Sequence, residues 1–190
     1  GTIHSFCLEW ILRPYAIYHP ELKYGFRVIN AHDTERAHEL LCNQFGGGLR
    51  IFDCGHYFTS TGHVISCPDW KRAKVEALLQ QYWADLRANR QVDFEMILDY
   101  AYQLVRDIPS IGVLLGSIFA TILVDEYQDT KEIQYAILGT ILKASKGKAK
   151  AFIVGDPNQA IYGSLGGYAI TPAEFSALSG VSFTEMDLSV

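Results

Sequence analysis

Two apolar runs in this chain end in acids. Ile122-Leu123-Val124 leads into Asp125-Glu126, and Ala151-Phe152-Ile153-Val154 leads into Gly155-Asp156. Each run reads as a strand buried on both faces. In the segment that separates them, Ile133, Ile137 and Ile141 share one helical face, with Leu138 and Leu142 beside it. That periodicity predicts a helix of about 15 residues. Strand, helix and strand at this spacing make a βαβ unit, so the two strands should be parallel. Ligands of an open α/β sheet bind outside the carboxyl ends of its strands. The acids therefore define one polar edge above an apolar sheet. Carboxylates in such a place suit Mg²⁺, which takes one or two of them together with waters and phosphate oxygens. In nucleotide hydrolysis one acid helps to hold the metal, and another orients or deprotonates the attacking water. Glu126, a second consecutive acid at the end of a buried strand, has no packing purpose.

Other readings of the same residue types stand beside this one. Asp129 could cap the following helix, with Glu132 completing a capping box. Asp156 could do no more than start a turn with Pro157. Asp125, Glu126 and Asp129 could together form a metal-dependent nuclease site. Cys54, His56, His63 and Cys67 lie within one short stretch and could close a tetrahedral zinc shell. Their spacing matches no standard finger, and the alternative is a polar loop with thiols packed beneath it.

The elements that must position these residues follow from the rest of the pattern. Gly1 to Ser5 reads as a strand end and turn, followed by an amphipathic run from Phe6 to Arg13. An opening of this kind is expected of a segment of a longer protein. A short strand over Phe26–Ile29 and a helix over Thr34–Phe45 come next, with Asp33 or Thr34 as the cap. Gly46-Gly47-Gly48 breaks the chain, and residues 49–66 read as an irregular loop or hairpin. Pro68 to Asn89 carries Val75, Leu78, Leu79, Tyr82 and Leu86 at helical spacing. Asp93 is the expected N-cap of a helix to about Arg106 that turns Phe94, Ile97, Leu98, Ala101 and Leu104 inward. A further helix runs from Ser110 to about Ser117. Beyond the second acid-tipped strand, Thr171–Leu178 predicts a last helix and Val181–Met186 a last strand. The fold class is therefore α/β.

Composition narrows the function classes. With 49% hydrophobic residues in 190, a packed core is available and a disordered tail is not expected. The net charge of −5 argues against a protein that grips duplex phosphates by charge alone. It is compatible with one that holds a few unpaired nucleotides by stacking. No run of about 18 apolar residues suggests a membrane span, and the N-terminus has no signal-peptide pattern. The four Cys are scattered without a CxxC pair, as in a reduced, cytoplasmic protein.

Three ordered motifs resemble those of UvrD/Rep helicases of superfamily one. Val124-Asp125-Glu126-Tyr127-Gln128-Asp129-Thr130 resembles their DExQDT segment. Gly155-Asp156-Pro157-Asn158-Gln159-Ala160-Ile161-Tyr162-Gly163 resembles GDxxQSIYG, and Thr2-Ile3-His4-Ser5 resembles TFHS. Val92-Asp93-Phe94 followed by Ile97-Leu98 is similar to the helix that precedes the DExx strand. The resemblance implies a partial RecA-like parallel sheet with a mainly helical insertion. Residues 1–13 and 119–190 would belong to the motor domain, and residues 14–118 to the insertion. It implies ATP and Mg²⁺ as cofactors, and single-stranded DNA and duplex junctions as partners. Asp125 would hold Mg²⁺ and Glu126 would activate water. Gln159 would sense the γ-phosphate, and Gln128 would join Asp125, Glu126 and Gln159 around the nucleotide. Thr2, His4 and Ser5 would lie along the DNA path, with Tyr162 a stacking surface there. Core packing for Tyr162 and a structural role for His4 remain alternatives.

The chain also departs from the family pattern. Ser164-Leu165 stands where an aromatic and an Arg are usual, and Ile3 replaces Phe. No GxxxxGK[ST] loop occurs in these residues. The fragment by itself is therefore expected neither to bind ATP tightly nor to hydrolyse it. The parent would be an ATP-dependent translocase that unwinds duplex, 3′ to 5′ as in the family. The alternative is a DNA- or protein-binding module that kept the fold and lost the motor.

Overall fold

The computed structural model describes residues 1–159 and 166–186. It divides into two compact units, Gly1–Tyr100 and Ala101–Val190. The architecture is mixed α/β with short parallel strand pairs, the class expected from the sequence.

The first unit opens on a helix. Thr2 is extended and accepts the Ser5 N–H on Oγ1 at 3.2 Å, so it caps α1 (Ile3–Phe6). The strand end expected at Gly1–Ser5 is therefore a helix start. A threonine hydroxyl beside an unsatisfied N–H outweighs the local strand propensity. The chain continues through a π-helical turn at Cys7–Leu12, which buries Cys7, Ile11 and Leu12, into α2 (Arg13–Tyr15).

Strand β1 (Arg27–Val28) pairs in parallel with β4 (Gln91–Val92). Helix α3 (Ala31–Phe45) begins earlier than expected. Asn30 caps it by accepting the Asp33 N–H at 2.9 Å, which displaces Asp33 and Thr34 from that role. Gly46 ends α3 at φ 61°, in the left-handed region. The segment 49–66 resolves into a 3₁₀ turn (Ile51–Cys54) and an antiparallel hairpin, β2 (His56–Thr59) with β3 (Gly62–Ile65). Helix α4 (Asp69–Ala88) buries Val75, Leu78, Leu79, Tyr82 and Leu86, the residues whose spacing predicted it.

Asp93 caps α5 (Phe94–Asp107) as expected, taking the Met96 N–H on Oδ1 at 2.8 Å. Its other oxygen accepts the Tyr82 hydroxyl at 2.8 Å. Ile97, Leu98, Ala101 and Leu104 are buried, whereas Phe94 is exposed and meets the His4 ring edge-on, 5.6 Å between centroids.

A buried ring cluster lies between α3, the hairpin and α4. His38 packs on Tyr82 with centroids 4.4 Å apart, and His56 and His63 meet Trp83 at 5.3 and 4.8 Å. Burial, with the nearby His56 adding to it, lowers the His38 pKa from 6.5 to about 4. A depressed histidine pKa in the folded state contributes stability that is complete above the unfolded value, near 6.5. That stability is lost as pH falls toward 4. The loss is on the order of 3 kcal/mol. We expect the stability difference between the natural protein and His38→Leu, from chemical denaturation, to shrink by that amount between pH 7 and pH 4. A difference independent of pH would show that His38 does not titrate this way. Taking the difference is essential, because burial pushes the neighbouring Asp93 carboxyl upward, with the opposite sign.

The second unit contains the βαβ unit. Strands β5 (Thr121–Val124) and β6 (Lys150–Ile153) are parallel, in register Thr121↔Lys150 to Val124↔Ile153. Helix α7 (Glu132–Ser145) joins them. Ile133, Ile137, Leu138, Ile141 and Leu142 are all buried on it. Helix α6 (Pro109–Ile118) packs closely on α7, since a Cβ on Gly116 would run into the Ser145 side chain. Helix α8 (Pro172–Ser179) follows a capping box between Thr171 and Glu174.

Three expectations are corrected here. The strands are not buried on both faces: Leu123 is 73% and Phe152 56% exposed, and their neighbours Ile122, Val124, Ala151 and Ile153 are half-buried. Residues 181–186 form no strand. Phe183 turns back onto Phe175 instead, and its N–H donates to Ser176 Oγ. Finally, α7 is not capped by an Asp129–Glu132 box. Gln134 Oε1 accepts the Lys131 N–H at 3.0 Å, and Asp129 sits in a 3₁₀ turn before it.

Candidate functional site

The polar edge forms where β5 and β6 end. Val124 and Ile153 are the last paired residues, and the backbone ladder runs one step further: Val154 donates to Val124 O at 2.8 Å, and Tyr127 donates to Val154 O at 3.1 Å. The chain then turns sharply at Glu126, which takes a left-handed conformation at φ 52°. Such a backbone costs a non-glycine residue roughly 1–2 kcal/mol. It is tolerated because the surroundings hold it: Glu126 N–H donates to Asp125 Oδ1 at 3.0 Å, and Glu126 O accepts the Asp129 N–H at 3.0 Å. The turn leaves the Asp125 and Glu126 side chains exposed beyond the end of the strand.

Gln128 ties the two strand ends together. It is 2% exposed. Its Nε2 donates to Glu126 Oε2 at 2.6 Å, and its Oε1 accepts the Asp156 N–H at 3.1 Å. One amide thus aims the β5 carboxylate and fixes the first residue of the turn after β6. Gly155 makes this possible by lacking a side chain. A Cβ there would collide with Gln128 Oε1 and lie 2.6 Å from Tyr127 Cδ1 and 2.8 Å from Tyr127 N. The Tyr135 hydroxyl, on α7, donates to Tyr127 O and anchors the same turn from below.

Asp156 organises the next turn, Pro157–Gln159. Its Oδ1 accepts the Asn158 N–H at 2.9 Å and Asn158 Nδ2 at 3.0 Å, and its Oδ2 accepts Gln159 Nε2 at 3.0 Å. The Asn158 N–H, followed by the Gln159 amide, lowers its pKa below the usual carboxylate range. Asp156 is therefore the turn former expected from the sequence, and it also orients Gln159. The turns after β5 and β6 lie against each other. The structure thus gathers Asp125, Glu126, Gln128 and Gln159 at one edge.

Thr2, His4 and Ser5 belong to the other unit. Thr2 Oγ1 and Ser5 Oγ are 3.0 Å apart at the exposed start of α1. Tyr162, and the Ser164-Leu165 pair, lie outside the described residues. Among the described residues no group of three or more His, Cys, Asp and Glu side chains is arranged to hold a metal. Cys54 meets Cys42, Sγ to Sγ 3.6 Å, His56 Nδ1 lies 2.9 Å from Cys54 O, and His63 pairs with Glu76 at 2.9 Å. No helix among them is long and apolar enough to cross a membrane.

Sequence reasoning missed the close approach that requires Gly155 and the hold of Asp156 on Gln159. The available signal was a glycine directly between a buried strand and an acid, where close approach of another backbone is a standing reason for glycine.

Comparison with known proteins supplies a family. The UvrD/REP helicase N-terminal domain profile matches residues 59–173. An ATP-dependent helicase/nuclease subunit of Desulfitobacterium hafniense is 37% identical over 86 residues, which is 44% of this chain and 6% of that protein. The ATP-dependent DNA helicase PcrA of Leuconostoc citreum is 35% identical over 85 residues, 45% of this chain and 11% of that protein. The ATP-dependent DNA helicase UvrD1 of Mycobacterium tuberculosis is 24% identical over 185 residues, 87% of this chain and 24% of that protein. The chain thus spans a quarter or less of the length of these relatives.

Proposed function

Because this chain belongs to the UvrD/REP helicase N-terminal domain family, we propose that it is part of an ATP-driven motor that moves on single-stranded DNA and unwinds duplex. In this reading residues 1–13 and 119–190 belong to the motor domain, and residues 14–118 are its insertion. The observation that carries it is the Gln128 bridge, which holds a strand-end carboxylate and the Gln159 turn in one frame.

The carboxylates present fit Mg²⁺. The donors are hard carboxylate oxygens at an exposed strand end, and Asp129 Oδ1, in the turn that follows, is buried without a hydrogen-bond partner among the described residues. Bound there, Mg²⁺ would neutralise charge on the phosphate oxygens. Asp125 is the residue that would hold it; its Oδ1 accepts the Glu126 N–H, which orients the carboxylate. Glu126 acts as general base toward the attacking water. Gln128 keeps the Glu126 carboxylate pointed outward. Gln159, aimed by Asp156, reports the state of the γ-phosphate to the DNA-binding residues, with Thr2, His4, Ser5 and Tyr162 on the DNA path. The phosphate-binding loop is not among these residues and must be supplied by other parts of the protein.

The test is ATP hydrolysis by the full-length protein, with and without single-stranded DNA. DNA-stimulated hydrolysis is the expected result. Intact DNA binding without hydrolysis would favour the second reading, a binding module that has lost the motor, to which Ser164-Leu165 points. The absence of both DNA binding and hydrolysis would overturn the motor reading.

A further inference from the structure

Two large rings stand out of the surface far from the acid-tipped strands in sequence. Phe52, in the 3₁₀ turn Ile51–Cys54, is 68% exposed, and Trp70, in the first turn of α4, is 78% exposed. They share a neighbour. The Lys71 ammonium lies 5.9 Å from the Phe52 centroid and 5.0 Å from the Trp70 centroid.

That ammonium cannot wander. It donates to Asp53 Oδ2 at 2.6 Å and to Gly48 O at 3.3 Å, in a buried setting. Asp53 is itself fixed by the Arg50 N–H at 2.8 Å. Burial pushes the Asp53 carboxyl up, but the hydrogen bonds from Lys71 and the Arg50 N–H, together with the charges of both side chains, hold it below its ordinary range. The Lys71–Asp53 contact pins the turn bearing Phe52 to the helix bearing Trp70.

The surroundings are cationic in an acidic chain. The Arg50 guanidinium sits 5.9 Å from the Phe52 centroid, and the Lys74 ammonium lies over Gly47. Arg72 pairs with Asp69 at 3.2 Å. Arg50 and Lys71 stand beside Asp53, Arg72 pairs with Asp69 and Lys74 reaches Gly47, whereas the chain as a whole is −5.

Exposed rings offer a π-face to anything flat, and cations beside them attract a phosphate backbone. Base-on-ring stacking contributes about 1–3 kcal/mol per base and requires unpaired bases, since duplex stacks cover their own faces. We propose that Phe52 and Trp70, set around the locked Lys71 ammonium and flanked by Arg50 and Lys74, form a stacking site for single-stranded nucleic acid within the insertion. The proposal rests on the reading of the parent as a protein that works on single-stranded DNA, and adds a second contact region on that strand. Net positive charge favours this occupant over a protein partner of ordinary composition.

The probe is a fluorescein-labelled oligo(dT) of about 20 nucleotides, titrated against the full-length protein by anisotropy. Phe52→Ala and Trp70→Ala should each weaken binding about five-fold or more, with Trp70→Phe close to the natural protein. Both rings are exposed, so melting temperatures of the variants should match the natural protein. Ring removal should leave the slope of log affinity against log salt unchanged, whereas Arg50→Ala should reduce it by about 0.7. The proposal is overturned if both alanine variants bind oligo(dT) as tightly as the natural protein while DNA-stimulated ATP hydrolysis persists. That outcome leaves the motor reading standing and assigns the rings to a protein partner. An equal loss of affinity for a blunt duplex and for oligo(dT) also overturns it. If the natural protein neither binds oligo(dT) nor responds to it in hydrolysis, the motor reading falls first and the stacking site with it.

Discussion

Replacing Glu126 by Gln in the full-length protein is expected to lower ATP hydrolysis by about 10²- to 10⁴-fold, the contribution of a well-placed general base, and to leave folding and nucleotide affinity in place. The separation of effects follows from the local geometry. Glutamine keeps the shape of the side chain and an oxygen to accept the Gln128 Nε2 hydrogen, now 2.6 Å from Glu126 Oε2. It removes only the charge and basicity that draw a proton from water. The backbone supports the same view. Glu126 occupies the left-handed region, where Gly or Asn would be relaxed. Strain retained at a carboxylate is a reason to look for a function of that carboxylate. Single-turnover hydrolysis together with a nucleotide-binding titration checks the split. Hydrolysis within a few-fold of the natural protein would remove Glu126 from the role of base.

Gly155→Ala is expected to lower stability by about 1–3 kcal/mol, as over-packing does in a close-packed site, and to reduce hydrolysis at the same time. The conformation of Gly155 is not the obstacle, since its φ lies outside the left-handed region. Space is. The new methyl would meet Gln128 Oε1, and Tyr127 Cδ1 at 2.6 Å. Gln128 must then yield the Asp156 N–H, and its hold on Glu126 loosens with it. Thermal unfolding and hydrolysis of the same preparation measure both effects. Gln128→Ala on top of Gly155→Ala should recover part of the stability but not the hydrolysis. The recovery is partial because Tyr127 N, 2.8 Å from the added carbon, stays in place. An alanine variant that melts with the natural protein would show that the cradle is not closed around position 155.

How much of this was legible in the residues differs from one element to the next. The α4 stripe Val75, Leu78, Leu79, Tyr82 and Leu86 is buried as its period required, and Asp93 caps α5 as its position implied. In both cases the signal and the structure lie within a few residues of each other. Helix starts went astray where several polar residues stood close to the same first turn. Asn30 won over Asp33 and Thr34, and Lys131 with Gln134 over Asp129 with Glu132. A cap is decided by which backbone N–H remains unsatisfied once the helix has docked, and propensity alone does not rank such neighbours. Val181–Met186 has strand-like composition but finds no strand to pair with among the described residues, so Phe183 packs on Phe175 instead.

The acid-tipped strands show the division most clearly. The local order of apolar run, acid pair and amphipathic helix determined by itself that β5 and β6 are parallel and that their acids share an edge, because a right-handed crossover of this length has few alternatives. Tertiary structure decided the rest. It left Leu123 and Phe152, paired in register, largely exposed. It placed Gln128 Oε1 on the N–H of Asp156, 28 residues away in sequence. It also brought Asp53 to Lys71 across 18 residues, so that Phe52 and Trp70 share one ammonium. Periodicity reports which side of an element is apolar. Which polar groups meet across the fold depends on distances that exist only after the chain has closed on itself.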